Sequence, residues 1–366
     1  MRRTKPPFRA DHVGSLLRPA ALKQARERRA KGEIAAAALQ EVEDREIARA
    51  IKKQEEVGLS AVTDGEFRRS WWHLDFLWGL DGVERTVMDT GIAFAGVTTR
   101  NEGVRVTGKL GFSSHPMLEH FKFVQKHTSR TPKMTIPAPS AIYGRPVKTP
   151  IDRAAYPKLD AFFDDLGRAY RKAVRAFADA GCRYLQLDEV FIAMLCDPKY
   201  RQQMKDRGDN PETLGDLYGD LINTALSDIP ADMMITMHLC RGNYKSTFLG
   251  SGGYDAVQEI LFNRIKVHGY FMEYDDPRSG GFEPLRLLPK GKLVVLGLVT
   301  TKSGKLESKD ELKRRIDQAA KYAPLEQLCL SGQCGFASTE EGNLLSEDEQ
   351  WAKLARIVEV ADEVWG

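Results

Sequence analysis

What most constrains this chain is an alternation: eight short apolar runs, most of them followed by a longer, charged and amphipathic stretch. The runs fall at 10–13, 61–63, 133–136, 184–187, 233–237, 267–272, 293–298 and 327–330. Apolar runs of this length, bounded by turn residues, read as strands. Helical periodicity fills most gaps, at 39–57, 154–180, 213–227, 255–262, 308–322 and 346–364. The punctuation agrees. Gly58 and Gly181 each follow a last helical turn, Ser308 stands three residues before Glu311, and Ser346 opens a helix with Asp348 and Glu349 close behind. Strands alternating with helices specify an α/β fold with a parallel sheet, and a count of eight specifies a (β/α)8 TIM barrel forming one domain over 1–366. A doubly wound open sheet is the alternative, but no GxGxxG follows the first run. Two stretches stand outside the alternation. Residues 78–112 are β-rich and read as a β-hairpin insertion between strands two and three, and the first 38 residues supply an N-terminal helical extension.

Composition removes several function classes. With 42% hydrophobic and 29% charged residues the chain has material for a large core, and a net charge of +3 gives no argument for nucleic acid. The basic stretch from Lys23 to Lys31 is interleaved with Ala and Glu, as on a solvated helix face. No apolar run reaches the length of a membrane span, and the N-terminal MRRTKPPFRADHVGS lacks the apolar centre of a signal peptide. Five cysteines at irregular spacing (182, 196, 240, 329, 334) are no disulfide framework; they suit a reducing cytoplasm and leave thiols free for metal. Nothing in the charged exterior requires an oligomer.

In a parallel barrel the chemistry sits at the C-terminal strand ends. Seven of the eight ends here carry ionisable or metal-binding types: Asp11 and His12, Asp64 and Glu66, Asp188 and Glu189, His238 and Cys240, Glu273 to Asp276, Lys302, and Cys334. Singly, each has an ordinary explanation. Asp after a strand is a common cap or turn former, and a His or Cys on a strand is commonly core. Together they converge on one rim. His238 and Cys240, two apart on an extended chain, project to one face. With Glu273 and Cys334 they offer one nitrogen, two sulfurs and one carboxylate, a donor set that favours zinc over all-oxygen cations. A thiolate-rich site of this kind leans towards activating a substrate thiol rather than water.

Six ordered motifs carry a resemblance that covers nearly the whole chain: His12-Val-Gly-Ser-Leu-Leu-Arg-Pro19, Val62-Thr-Asp-Gly-Glu-Phe67, Leu185-Gln-Leu-Asp-Glu-Val190, Met237-His-Leu-Cys240, the strand ending in Glu273, and Ser331-Gly-Gln-Cys-Gly335. They resemble the catalytic half of cobalamin-independent methionine synthase and, more closely, the single-barrel proteins related to it. The resemblance implies a TIM barrel and a zinc ion held by His238, Cys240, Glu273 and Cys334, with Glu259 as the alternative carboxylate. It implies a homocysteine site in which Gly14 and Ser15 take the carboxylate and Glu66 with Asp188 the ammonium. Glu189, Trp72 and Tyr143 are further expected substrate-binding positions, and Lys302 and His12 the expected catalytic ones. Two departures stand out. Tyr143 is the nearest aromatic where the family has a folate-stacking Trp, and Lys302 stands where the family has a His acting as an acid, which suits Lys302 to binding an anion. The N-terminal half that helps hold polyglutamylated folate in the two-barrel enzymes has no counterpart in these residues.

The expected reaction is methyl transfer to a thiol, homocysteine first, giving methionine. The methyl donor would be a methyl-folate monoglutamate or a methylated corrinoid protein. A sulfonate thiol opening an epoxide, as in the epoxyalkane:coenzyme M transferases, is the second reading; positive charge at Lys302 and Arg18 would favour it, and the carboxylates Glu66 and Asp188 oppose it. A non-catalytic barrel that binds thiol or zinc is the third.

Overall fold

A computed structural model describes residues 3–366; Met1 and Arg2 of the basic N-terminal stretch lie outside them. Twelve strands follow one another as β1 (Ala61–Val62), β2 (Asp81–Val87), β3 (Ala93–Phe94), β4 (Val97–Thr98), β5 (Glu102–Gly111), β6 (Thr131–Pro132), β7 (Met134–Pro137), β8 (Tyr184–Glu189), β9 (Met234–Leu239), β10 (Gly269–Glu273), β11 (Leu293–Val299) and β12 (Leu328–Gly332). Strands β7 to β12 form one six-stranded sheet in chain order, with every pair parallel. β1 pairs in parallel with β6, which runs on into β7 after the single residue Lys133. At the other edge Ala10 makes a parallel bridge to Leu330 on β12, and Leu16 N–H donates to Gly65 O (3.0 Å) just past β1. Residues 10–16 therefore stand between β12 and β1. The architecture is α/β around a parallel sheet, and the strands lie where the apolar runs placed them, except that the first is reduced to that one bridge.

The strands are buried on both sides, as a parallel sheet covered by helices requires: all seven residues of β11, Leu-Val-Val-Leu-Gly-Leu-Val, are buried. Gly297 in its middle is obligatory, since a Cβ there would lie 2.7 Å from Gln333 Cα. Covering helices bury one stripe each. Helix Leu159–Asp179 turns Phe162, Leu166, Tyr170, Ala173, Val174 and Phe177 inward, the spacing of a single helical face. Ser308 caps helix Lys309–Ala319 through Glu311 N–H, and Ser346 with Glu349 completes a capping box on helix Glu347–Trp365.

Between β1 and β6 the chain makes the expected β-rich excursion: β2 pairs antiparallel with β5, and β3 with β4 forms a smaller hairpin at its tip. Helix Met117–His127 follows it and was not legible in the alternation, because its inward stripe is only Met117, Phe121 and Val124. The stretch 255–262 is no α-helix. It folds as a 3-10 turn, Tyr254–Ala256, and a π turn, Ile260–Arg264, and carbonyl oxygens at its end are taken by the Lys292 ammonium, which reaches Phe262 O (3.3 Å) and Ile265 O (2.6 Å). The N-terminal extension is helix Ala20–Ala30, mostly exposed, tied by Arg26 to Glu340 (2.9 Å) and to Phe67 O (2.7 Å).

A polar group of four is sealed inside the strands. Lys133 Nζ lies 3.3 Å from Asp11 and donates to His12 O (2.5 Å), while the Tyr184 hydroxyl donates to the other Asp11 oxygen (2.8 Å). The pair is wholly buried, so removing one partner leaves an uncompensated charge. Lys133→Met is expected to lower the unfolding free energy by about 3–5 kcal/mol, read from urea denaturation midpoints; an unshifted midpoint would mean that Asp11 does not depend on this partner.

Candidate metal centre

Three neighbouring parallel strands and one loop build the site. In the β8–β9 register Asp188 stands opposite His238, and in the β9–β10 register His238 stands opposite Phe271, two residues before Glu273. Cys240 lies just beyond the end of β9, and Cys334 two residues beyond β12. The ligand atoms of His238, Cys240, Glu273 and Cys334 all lie within 4.8 Å of one another, and all four residues are buried. The two sulfurs are 3.6 Å apart and remain unbonded thiols. Neither ring nitrogen of His238 has a hydrogen-bond partner, although the imidazole is buried. Buried polar atoms without partners are costly, so this cluster suits an ion that would satisfy it.

The charges around the cluster are arranged in layers. Glu273 accepts Arg241 N–H (2.8 Å) on one oxygen and Arg278 (3.0 Å) on the other. Arg278 also meets Asp275 (3.1 Å), and Lys302 Nζ lies 3.4 Å from Asp275 on its far oxygen. Burial raises the Glu273 pKa, with Lys302 and Arg278 opposing. The Cys240 thiol is raised by its contact with Cys334 and by burial, while Cys334, facing Cys240 and His238, is held well below the ordinary thiol value. Burial opposes a charge on His238, but Cys334, Asp188 and Glu273 outweigh it and raise its pKa.

The cluster opens into a cavity of about 290 Å³ whose wall includes His238, Cys240, Cys334, Ser15, Glu66 and Asp188. Glu66 reaches it through strained backbone: Gly65 and Glu66 both have left-handed φ (66° and 62°), a cost of roughly 1 kcal/mol or more for a non-glycine residue. Thr135 Oγ1 donates to one Glu66 oxygen (2.9 Å), Arg69 stands 3.5 Å away, and the other oxygen has no partner. Trp72 lines the same wall.

Other expected residues are turned away. Glu189, next along β8, points to the opposite side from Asp188 because side chains alternate on a strand. It caps helix Phe191–Met194 through Phe191 N–H (2.7 Å) and Ile192 N–H (2.8 Å). His12 is buried beside Ala61 O (3.3 Å), with its pKa pushed down to about 4 by burial and Lys133. Tyr143 packs on Phe163 and bonds Asp209 (2.8 Å), Lys302 is held by Asp275, and Glu259 is exposed with Asn263 as its partner. Gly14 is not in the wall, although Val13 and Ser15 are, and its carbonyl takes the Thr63 hydroxyl (2.6 Å). Residues that the strand ends did not flag fill the outer wall: Ile92 and Phe94 from the excursion, His73 and Arg145, and Phe191 with Met194.

Burial leaves a mark on stability. The Glu189 carboxyl is pushed up to about 7 by burial, offset in part by Ser140 and the two N–H donors. Between the ordinary carboxylate range and 7 the unfolded chain has lost a proton that the folded chain keeps, so stability falls as pH rises through that window. Glu189→Gln is expected to shrink the difference between urea midpoints at pH 5 and pH 8; an unchanged difference would assign the slope elsewhere.

Comparison with known proteins gives a consistent set. The family described as "Cobalamin-independent synthase, Catalytic domain" matches residues 8–363. The Bacillus subtilis protein YxjH is 50% identical over 363 residues, covering 99% of this chain and 96% of that protein. A crystal structure from Listeria monocytogenes, assigned to the vitamin-B12-independent methionine synthases, superposes with a TM-score of 0.80 at 39% identity over the full length of both chains. The 5-methyltetrahydropteroyltriglutamate–homocysteine methyltransferase of Bacillus velezensis is 22% identical over 95% of this chain but only 42% of its own length.

Proposed function

The chain belongs to the catalytic-domain family of the cobalamin-independent methionine synthases and is a methyltransferase, and from that premise we propose that it methylates homocysteine in the cavity beside His238, Cys240, Glu273 and Cys334, which hold a zinc ion. The observation that carries this reading is the convergence of four ligand atoms within 4.8 Å, three of them from residues on the same cavity wall as the carboxylates Glu66 and Asp188. One nitrogen, two sulfurs and one carboxylate suit zinc, and the partnerless His238 ring has the nitrogen to give. Bound there, zinc supplies the Lewis acidity that lets a thiol lose its proton near neutral pH.

The remaining work falls to the chain's own residues. Burial pushes Asp188 up to about 7 against the pull of His238, and raises Glu66 against that of Arg69 and Arg18. An amino-acid ammonium between them would draw both to the charged form and be gripped by two charge-assisted hydrogen bonds. Ser15, on the cavity wall, takes the carboxylate. So oriented, the sulfur bonds to the methyl carbon as the bond from methyl to the donor nitrogen breaks; the freed electron pair takes a proton. Apolar walls at Trp72, Phe94, Phe191 and Met194 keep water from competing.

The named relatives speak for a methyltetrahydropteroyl donor, and nothing supports a methylated corrinoid protein. The sulfonate-thiol reading loses the two cations that would favour it. Lys302 is engaged with Asp275, and Arg18 is spent on backbone carbonyls, donating to Leu16, Ala337, Glu66 and Arg69. The strand order, with residues 10–16 between β12 and β1, supports a closed (β/α)8 barrel forming one domain with 78–112 as its insertion. Five free cysteines fit a cytoplasmic location, and among the described residues no helix is long and apolar enough to cross a membrane.

Protein purified without chelator is expected to carry about one zinc per chain, to lose most of it in Cys334→Ser and Glu273→Gln, and to release a proton when homocysteine is added. A zinc-free wild type that binds the metal no better than these variants would sink the reading. Asp188→Asn should keep its zinc but weaken homocysteine by about tenfold or more, as loss of a charge-assisted hydrogen bond implies. Unchanged thiol affinity would remove Asp188 from the acceptor site.

A further inference from the structure

Arg145 follows β7 by eight residues, beyond the 3-10 turn Pro139–Ile142, so it stands further out in the cavity mouth than the strand-end residues. Its guanidinium donates to His73 Nε2, and among the described residues no carboxylate comes within ion-pair distance of it. Its neighbours are matched: Arg69 meets Glu66, Arg100 meets Glu340 and Arg207 meets Asp209. Burial pushes the Arg145 pKa down to about 10, with no acidic group to offset it. A half-buried cation without a counter-charge is costly, and a sequence keeps one at low cost only if something else supplies the charge.

His73 does not supply it. The ring is buried, lies against Trp72 with centroids 4.4 Å apart, and is kept uncharged by burial and by Arg145. With Nε2 accepting from Arg145, the proton sits on Nδ1, and Nδ1 has no partner. Two donors, one cationic and one neutral, therefore share a wall with Trp72, Phe191 and Val147. The loop that carries Arg145 is fixed in advance. The Tyr200 hydroxyl donates to Gly144 O (2.6 Å) and Arg207 to Tyr143 O (2.7 Å), and a Cβ on Gly144 would lie 2.2 Å from the Phe191 ring.

We propose that Arg145, backed by His73, is the subsite for a carboxylate on the methyl donor, so that this chain holds the glutamyl end of a pteroylglutamate within its own cavity. The acceptor's carboxylate and ammonium already have Ser15, Glu66 and Asp188, which leaves the anion at Arg145 to the other substrate. Calling that substrate the donor rests on the function proposed above; the subsite does not. A guanidinium fork matches a carboxylate through two parallel N–H···O bonds, which a lysine cannot reproduce.

The test is calorimetric binding of N-(4-aminobenzoyl)-glutamate, which has the carboxylates but neither pterin nor methyl group, to wild type, Arg145→Gln and Arg145→Lys. Wild type should bind it, Arg145→Gln about tenfold or more weakly, and Arg145→Lys in between, with zinc content and homocysteine affinity the same in all three. In turnover, Arg145→Gln should raise the KM for 5-methyltetrahydropteroylglutamate by a similar factor and leave kcat within about twofold. Failure of wild type to bind the fragment, equal binding by Arg145→Gln, or a loss of homocysteine affinity instead would each overturn the subsite. Arg145-dependent binding without methionine formation would keep the subsite and sink the transferase reading. Methionine formation with a donor KM indifferent to Arg145 would do the reverse.

Discussion

The parallel pairing of β8, β9 and β10 sets the distances on which the site depends. Asp188 and His238 are direct register partners, and Glu273 ends the next strand two residues past His238's own partner, Phe271. Hydrogen-bonded parallel strands keep a fixed spacing of a little under 5 Å, so side chains at matched positions are neighbours whatever the loops do. Cys240 and Cys334 then need only short reaches from β9 and β12. A slip of one residue between β8 and β9 would turn Asp188 to the helix side and bring Glu189 to the cavity, exchanging a site residue for a cap.

Holding that register against the charges it buries is the second requirement. The strands enclose Lys133 with Asp11 and Tyr184, and the loops above them enclose Arg18, whose four donors go to carbonyls of three separate segments. Paired in this way, with only the Arg18 Nε left without a partner, these groups add rigidity rather than reactivity. The cavity groups are the opposite: one oxygen of Glu66, both nitrogens of His238 and Nδ1 of His73 lack partners. The Lys133 group thus holds the frame, whereas the open atoms of Glu66, His238 and His73 belong to residues of the cavity wall. Open groups of this kind mark where ligands belong.

Much of this was legible in the residue order. The alternation located the parallel strands, the Ser308 and Ser346 caps stand where the pattern put them, and the four residues with metal-binding side chains at separate strand ends do meet. The errors share one cause. Glu189, Tyr143, His12 and Lys302 are of the right chemical type and near the right strand ends, but each is taken up by a partner distant in sequence or by the opposite face. A sequence shows that Asp188 and Glu189 point to opposite sides; it does not show which side is the cavity. The short helix Met117–His127 and the π turn at Ile260–Arg264 escaped for a related reason, since their form is set by what packs on them.

The sequence by itself determined where most of the parallel strands fall, which donor types stand at their ends and the family, because periodicity and residue type are local properties that no folding event alters. Tertiary structure alone decided which donors face one another. It brought Ile92 and Phe94 of the excursion over the cavity, closed Lys302 onto Asp275, and left Arg145 beside His73 with no counter-charge. Those outcomes depend on contacts between residues tens to hundreds of positions apart, and on burial, which sets what a charge costs only once the neighbours are in place.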